Sequence, residues 1–157
     1  MLLVAFYPKG RAPDRLKVLS AIGALQSPPP QNPWYNKTDL NHAEWLEAIG
    51  LHRFVLAPFG HGLDTHRVYE IMLMGGIPVM RRSSISSCFD DSDNYMGPDA
   101  PSRRSLPVVI LDRWEDLNAT RLEAEWDRLT RAPLDRWDYS RLLMKHWTTR
   151  IKNLAHT

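Results

Sequence analysis

Residues 54–80, FVLAPFGHGLDTHRVYEIMLMGGIPVM, restrict the fold more than any other part of the chain. Phe54, Val55, Leu56 and Ala57 form a short unbroken apolar run stopped by Pro58, the pattern of a parallel strand covered on both faces. Gly60 and Gly62 then allow a tight turn and a close approach of backbone to a ligand. Asp64 or Thr65 can cap a helix whose first turn offers unpaired N–H groups and a partial positive charge to an anion. That helix should stop at Gly75 and Gly76, after which Ile77, Pro78, Val79 and Met80 resume as a strand. Strand, glycine loop, helix start and second strand, in that order, describe a phosphate or nucleotide site built on a parallel sheet.

The side chains in this stretch suit such a ligand. Arg67 and Glu70 fall in the first helical turn or just beyond it. A guanidinium holds diphosphate oxygens through paired hydrogen bonds, and a carboxylate at that depth holds sugar or ribose hydroxyls. The plainer alternative is an ion pair between the two within their own helix. His61, between the glycines, and His66, beside Arg67, can each donate to a phosphate or stand as exposed loop residues. Neither has the spacing of a metal pair with a third ligand. Tyr69 and Met72 are expected in the core. A P-loop is excluded, because the Gly-Lys-Ser/Thr ending is missing, and no serine or cysteine nucleophile motif is present.

The rest of the chain extends the same architecture. The apolar opening, residues 1–7, reads as a first strand, and Leu16, Val18, Leu19, Ile22 and Leu25 recur at helix spacing after a possible Asp14 cap. Residues 27–38 contain Pro28, Pro29, Pro30 and Pro33 and are expected to be an exposed connection without regular structure. A second helix is expected over 39–49, ending at Gly50. The resulting order favours a Rossmann-like parallel sheet with helices on both faces, as one domain spanning 1–157.

Residues 83–105 form a long polar stretch, which in a compact domain is functional or disordered. It begins just past the strand ending near Met80, placing Arg81, Ser83 and Ser84 at the carboxyl edge of the sheet, where open α/β folds bind ligands. Asp90, Asp91 and Asp93 lack the glycine and distal glutamate of a calcium loop, so no metal site is assigned. Helices are expected over 119–129 and 139–154, the latter with Leu142, Leu143, His146, Trp147, Ile151 and Leu154 on one broad face. That last helix either packs on this domain or crosses to a second one. The six tryptophans mostly fall at helix spacing and are read as core or interface.

Three segments together resemble the exostosin-type glycosyltransferases, glycosyltransferase family forty-seven: Pro58-Phe59-Gly60, Arg67-Val68-Tyr69-Glu70 and Gly76-Ile77-Pro78-Val79. Leu106 to Leu111, followed by Asp112-Arg113-Trp114-Glu115-Asp116-Leu117, is similar to that family's next strand and its continuation. The resemblance covers 54–130 and departs where many members carry a basic residue and this chain has Phe59. It implies the C-terminal, donor-binding half of a two-domain enzyme of the GT-B kind, binding a nucleotide sugar, UDP-linked in the first instance. The implied donor contacts are Gly60, His61, Gly62, Thr65, His66, Arg67, Glu70, Arg81, Ser83 and Ser84. Transfer to a carbohydrate or glycan acceptor would need no metal or other cofactor, and the catalytic base would come from an N-terminal acceptor domain or partner chain. Two other readings stand beside it: a non-catalytic nucleotide- or sugar-binding module, and a fucosyltransferase domain using a GDP donor.

Bulk properties bound the remainder. A length of 157 residues supports a real core but is small for a whole two-domain transferase. Twenty basic against eighteen acidic residues, a net charge of +2, is too even to argue for a nucleic-acid partner. The lone Cys88 excludes an internal disulfide, which makes the cytoplasm the simpler compartment. No stretch reads as a membrane span or signal peptide. In a fragment of a eukaryotic exostosin, the resemblance would instead imply the Golgi lumen.

Overall fold

Five short strands lie parallel in a single sheet of order β2-β1-β3-β4-β5. The computed structural model describes residues 2–5, 13–24, 34–36, 40–90, 105–133 and 136–154. The strands are β1 (Leu2–Val4), β2 (Trp34–Asn36), β3 (Phe54–Leu56), β4 (Ile77–Arg81) and β5 (Val109–Leu111). Between and after them come the helices α1 (Pro13–Ala24), α2 (His42–Gly50), α3 (His66–Leu73), α4 (Ala119–Arg131) and α5 (Met144–Leu154). The register sets Leu2 beside Trp34 and Phe54, Phe54 beside Ile77, and Val79 beside Val109. This is one of the two common doubly wound orders, and it meets the expectation of a parallel α/β sheet with helices on both faces.

Alternation along the strands divides the core into two layers. Leu2, Val4, Phe54, Leu56, Val79, Val109 and Leu111 face one layer, closed by Val18 and Ile22 of α1, Leu122 and Leu129 of α4, and Trp114. Leu3, Val55 and Met80 face the other, closed by Trp45 and Ile49 of α2, Val68 and Ile71 of α3, and Phe89. Each fully buried Leu, Val or Phe contributes roughly 1.5–3 kcal/mol relative to exposure, so strands of only three residues hold through their covered faces.

Local chemistry sets the ends of the elements that flank the site. Asn41 caps α2 in a reciprocal capping box with Glu44, both bonds at 3.0 Å. Helix α3 ends in a Schellman arrangement, the Gly76 N–H donating to Ile71 O (2.9 Å) and the Gly75 N–H to Met72 O (3.1 Å). Gly75 has φ +82°, a conformation that costs a side chain energy. The chain then enters β4 directly.

Three expectations need correction. The connection over 27–38 is not wholly irregular: β2 occupies Trp34–Asn36, because pairing with β1 overrides the local proline signal. Its prolines 28–30 and 33 lie outside the described residues. The stretch 83–105 contains a 3-10 turn at Ser86–Cys88 and a buried Phe89, and Ser105 bridges to Trp137; residues 91–104, including Asp91 and Asp93, lie outside the description. The expected helix over 139–154 is a 3-10 turn, Tyr139–Leu142, then a break at Leu143, then α5. Its expected apolar face is divided: Leu143 and Ile151 are 56% and 64% exposed, while Leu142, His146 and Trp147 are half-buried and Leu142 packs against the core; α5 packs chiefly on the preceding turn. Among the described residues, no helix is long and apolar enough to cross a membrane.

Candidate functional site

In the order β2-β1-β3-β4-β5 the direction of winding reverses between β1 and β3, and the crevice beyond their carboxyl ends is where a doubly wound sheet binds its ligand. Two segments meet there: the start of α1, and the loop from Ala57 to Thr65 that leads into α3.

Asp14, in the first turn of α1 and only 6% exposed, ties this edge together. Its Oδ2 accepts the Phe59 N–H at 3.0 Å. Its Oδ1 accepts both Arg81 Nε at 2.8 Å and Trp114 Nε1 at 3.0 Å. One carboxylate therefore joins the segments that follow β1, β3 and β5 to the last residue of β4. Burying it is tolerable because both oxygens are hydrogen-bonded and one donor is cationic. Asp14 is thus no helix cap, as its position suggests, but a cross-link.

Arg15 follows immediately, and its Nη2 lies 3.6 Å from where a Cβ on Gly60 would stand; Thr65 Cγ2 lies 3.7 Å from the same point. Thr65 occupies the N-cap position of α3 without making a side-chain cap bond. Its buried Oγ1 finds no hydrogen-bond partner among the described residues. Arg67, in the first turn of α3, donates from Nη1 to Ala5 O at 2.6 Å and stacks over Trp45 at 4.6 Å from the ring centroid. Burial pulls its pKa down to about 10, the positive charge of Arg15 pulls in the same direction, and Glu70 opposes both. The crevice thus holds two guanidiniums close enough to repel each other, an unsatisfied hydroxyl and the N-terminus of α3. An anion placed among them would offset the repulsion between the two guanidiniums and accept from the Thr65 hydroxyl and the first N–H groups of α3.

The expected site residues divide into groups. Gly60, Thr65 and Arg67 come together with Arg15. His61, Gly62 and His66 lie exposed on the same loop and helix start. Glu70 points toward α2, its Oε2 accepting Trp45 Nε1 at 2.8 Å. Among the described residues it makes no ion pair with Arg67. Arg81 is held by Asp14 and covers Phe59 at 5.1 Å. Ser83 and Ser84 follow the end of β4; the Ser83 N–H donates to Ser86 Oγ at 2.9 Å, and the buried Ser83 Oγ has no partner among the described residues. Ser84 is exposed.

Sequence reasoning passed over Arg15 and the cross-linking role of Asp14. The available signal was their place just after the first strand of a parallel sheet, where carboxyl-edge residues gather. Among the described residues, no group of three or more His, Cys, Asp or Glu side chains is arranged to hold a metal ion. Fold and crevice define a doubly wound α/β domain with two guanidiniums, those of Arg15 and Arg67, at its switch point. No protein-family model matches the chain, and no curated protein matches it in sequence.

Proposed function

We propose that this chain is the donor-binding half of an exostosin-like glycosyltransferase, taking a nucleotide sugar, UDP-linked in the first instance, for transfer to a carbohydrate acceptor. The observation that carries the proposal is the convergence beyond β1 and β3 of Arg15, Arg67, the start of α3 and the Thr65 hydroxyl, which has no partner among the described residues. The donor's diphosphate leaves carrying negative charge, and preorganised guanidiniums stabilise that charge as it develops. In this reading Arg15 and Arg67 bind the diphosphate, Thr65 and His61 complete its hydrogen bonds, and Arg67 holds its orientation through Ala5 and Trp45. The acceptor and the general base belong to an N-terminal domain or partner chain.

Calorimetric titration with UDP, GDP and their sugars tests the assignment. One nucleotide is expected to bind, with affinity lowered about tenfold or more in Arg15→Ala and in Arg67→Ala, since a charged hydrogen bond contributes about 1.5–3 kcal/mol. Failure of every nucleotide to bind the folded chain would refute the proposal.

A second reading, a nucleotide-binding module without catalysis, draws on one observation. The carboxylates of Asp14 and Glu70, which flank the crevice, are both engaged by internal donors. Slow hydrolysis of a bound sugar nucleotide by the isolated chain would count against the module.

A further inference from the structure

The open edge of β5 carries a second cationic feature that shares no residue with the switch-point crevice. A cleft of about 540 Å³ lies there, between the edge strand and α4. Leu106, Val108 and Ile110 contribute apolar surface to its lining, and Arg82, Arg121, Arg128 and Arg136 contribute four guanidiniums. Among the described residues, the lining sets two carboxylates, Asp90 and Glu125, against these four guanidiniums.

Three of the four arginines are held by carboxylates, although each side chain is about half exposed. Glu125, with a side chain 9% exposed, receives Arg121 Nη2 at 2.7 Å and Arg128 Nε at 2.6 Å. Arg128 also donates from Nη2 to Val108 O at 3.3 Å. One buried carboxylate therefore fixes two guanidiniums and neutralises only one of them. Arg82 is anchored on Asp112 at 2.7 Å. The exposed Arg136 guanidinium has no carboxylate partner among the described residues, while the Arg136 backbone is held by the bridge to Ser105. Such an arrangement has already met part of the entropic cost of ordering its side chains. Forked guanidiniums match phosphate oxygens in pairs, and the volume falls in the range of small-molecule sites.

We infer that this cleft binds a phosphorylated small molecule with an apolar or aromatic body, the phosphate between Arg121, Arg128 and Arg136 and the body against Val108 and Ile110. The inference stands apart from the nucleotide-sugar proposal, because the two sites can be occupied and disabled separately.

The test is a titration of the isotopically labelled full chain, followed by amide NMR, with phenyl phosphate, inorganic phosphate and benzyl alcohol as probes. Phenyl phosphate is expected to shift the amides of 105–111 and 136, and to bind about tenfold or more tightly than inorganic phosphate. Benzyl alcohol should leave those signals in place. Arg136→Gln removes a guanidinium that has no carboxylate partner among the described residues, so its fold should be retained, and it should weaken phenyl phosphate by about tenfold. Arg121→Gln should do the same while Arg128 keeps Glu125 paired. Arg67→Ala should change nothing here. Equal binding of phosphate and phenyl phosphate, shifts confined to 57–67, or unchanged affinity in Arg136→Gln would each overturn the inference.

Discussion

Replacing Asp14 tests how the carboxyl edge is held. In Asp14→Ala the Phe59 N–H and the Trp114 indole N–H lose their acceptor in a region where both residues are buried, at 7% and 1% exposure. A stranded buried donor costs about 1–3 kcal/mol. Arg81, a third exposed, can turn to water, and its lost ion pair adds little. The sum is about 4 kcal/mol, a large share of the roughly 5–15 kcal/mol that holds an ordinary domain. Asp14→Asn separates the two oxygens: with its carbonyl toward Arg81 and Trp114, its amide confronts the Phe59 N–H, donor against donor, for a loss of about 1–3 kcal/mol. Urea unfolding followed by tryptophan fluorescence measures both. At a slope of about 2 kcal/mol per molar, the alanine midpoint should fall by about 2 M and the asparagine midpoint by about 1 M. A fall under about 0.5 M for alanine at unchanged slope would show that the three bonds contribute little.

Other outcomes follow from single residues. Burial, the nearby Asp64 charge and a hydrogen bond to Asp64 push the Tyr69 hydroxyl up to about 12. Its folded pKa is raised, so its stabilising contribution is complete below the ordinary tyrosine value near 10 and is lost as pH rises toward 12. Ultraviolet titration should show a late-ionising tyrosine that disappears in Tyr69→Phe, and ionisation of every tyrosine near pH 10 would contradict this. Gly76→Ala would place a methyl 3.1 Å from Ile49 Cγ2 and from Ile71 Cγ2. It should cost about 1–3 kcal/mol as overpacking, and a neutral thermal shift would argue against a tight α2–α3–β4 corner. At Asp138, partial burial opposes the charged form, but the Ser140 hydroxyl and N–H, with His146 and Arg141, hold its pKa below the ordinary carboxylate value. Its contribution is therefore present above about pH 4 and lost as pH falls through the lowered value. Carboxyl NMR should find Asp138 titrating below the ordinary value and moving upward in Ser140→Ala; an unshifted Asp138 would remove the support for this pairing.

Much of the region around the site was legible because its determinants are local. The apolar run at Phe54, the paired glycines after α3 and the resumption at Ile77 obey rules that operate within four residues, and β3, α3 and β4 fall within a residue or two of where those rules put them. Leu122 and Leu129 in α4 are buried as their spacing implies. What escaped depends on partners far along the chain. Trp34–Asn36 is a strand only because β1 lies beside it. Leu16 has helix spacing, yet it is 55% exposed while Asp14 is buried, since three distant donors make the acid the better inward residue. The same holds for the site. Gly60, Thr65 and Arg67 could be chosen from their loop, whereas Arg15 joins them only through the sheet order. Glu70 turned away because Trp45, twenty-five positions earlier, claims its oxygen.

The Asp14 cross-link also bears on the order in which the molecule assembles. Its three bonds span 45, 67 and 100 positions of sequence, and none can form until β3, β4 and β5 have brought Phe59, Arg81 and Trp114 to the start of α1. Contacts that close such long loops meet their entropic cost before any gain appears, so this edge sets last, when the rest of the sheet is already built. A partly folded chain could possess β3, α3 and the glycine loop and still have no crevice. If the crevice binds a nucleotide sugar as proposed, recognition would accordingly be a property of the finished fold, and a nascent or locally opened molecule would be blind to that ligand.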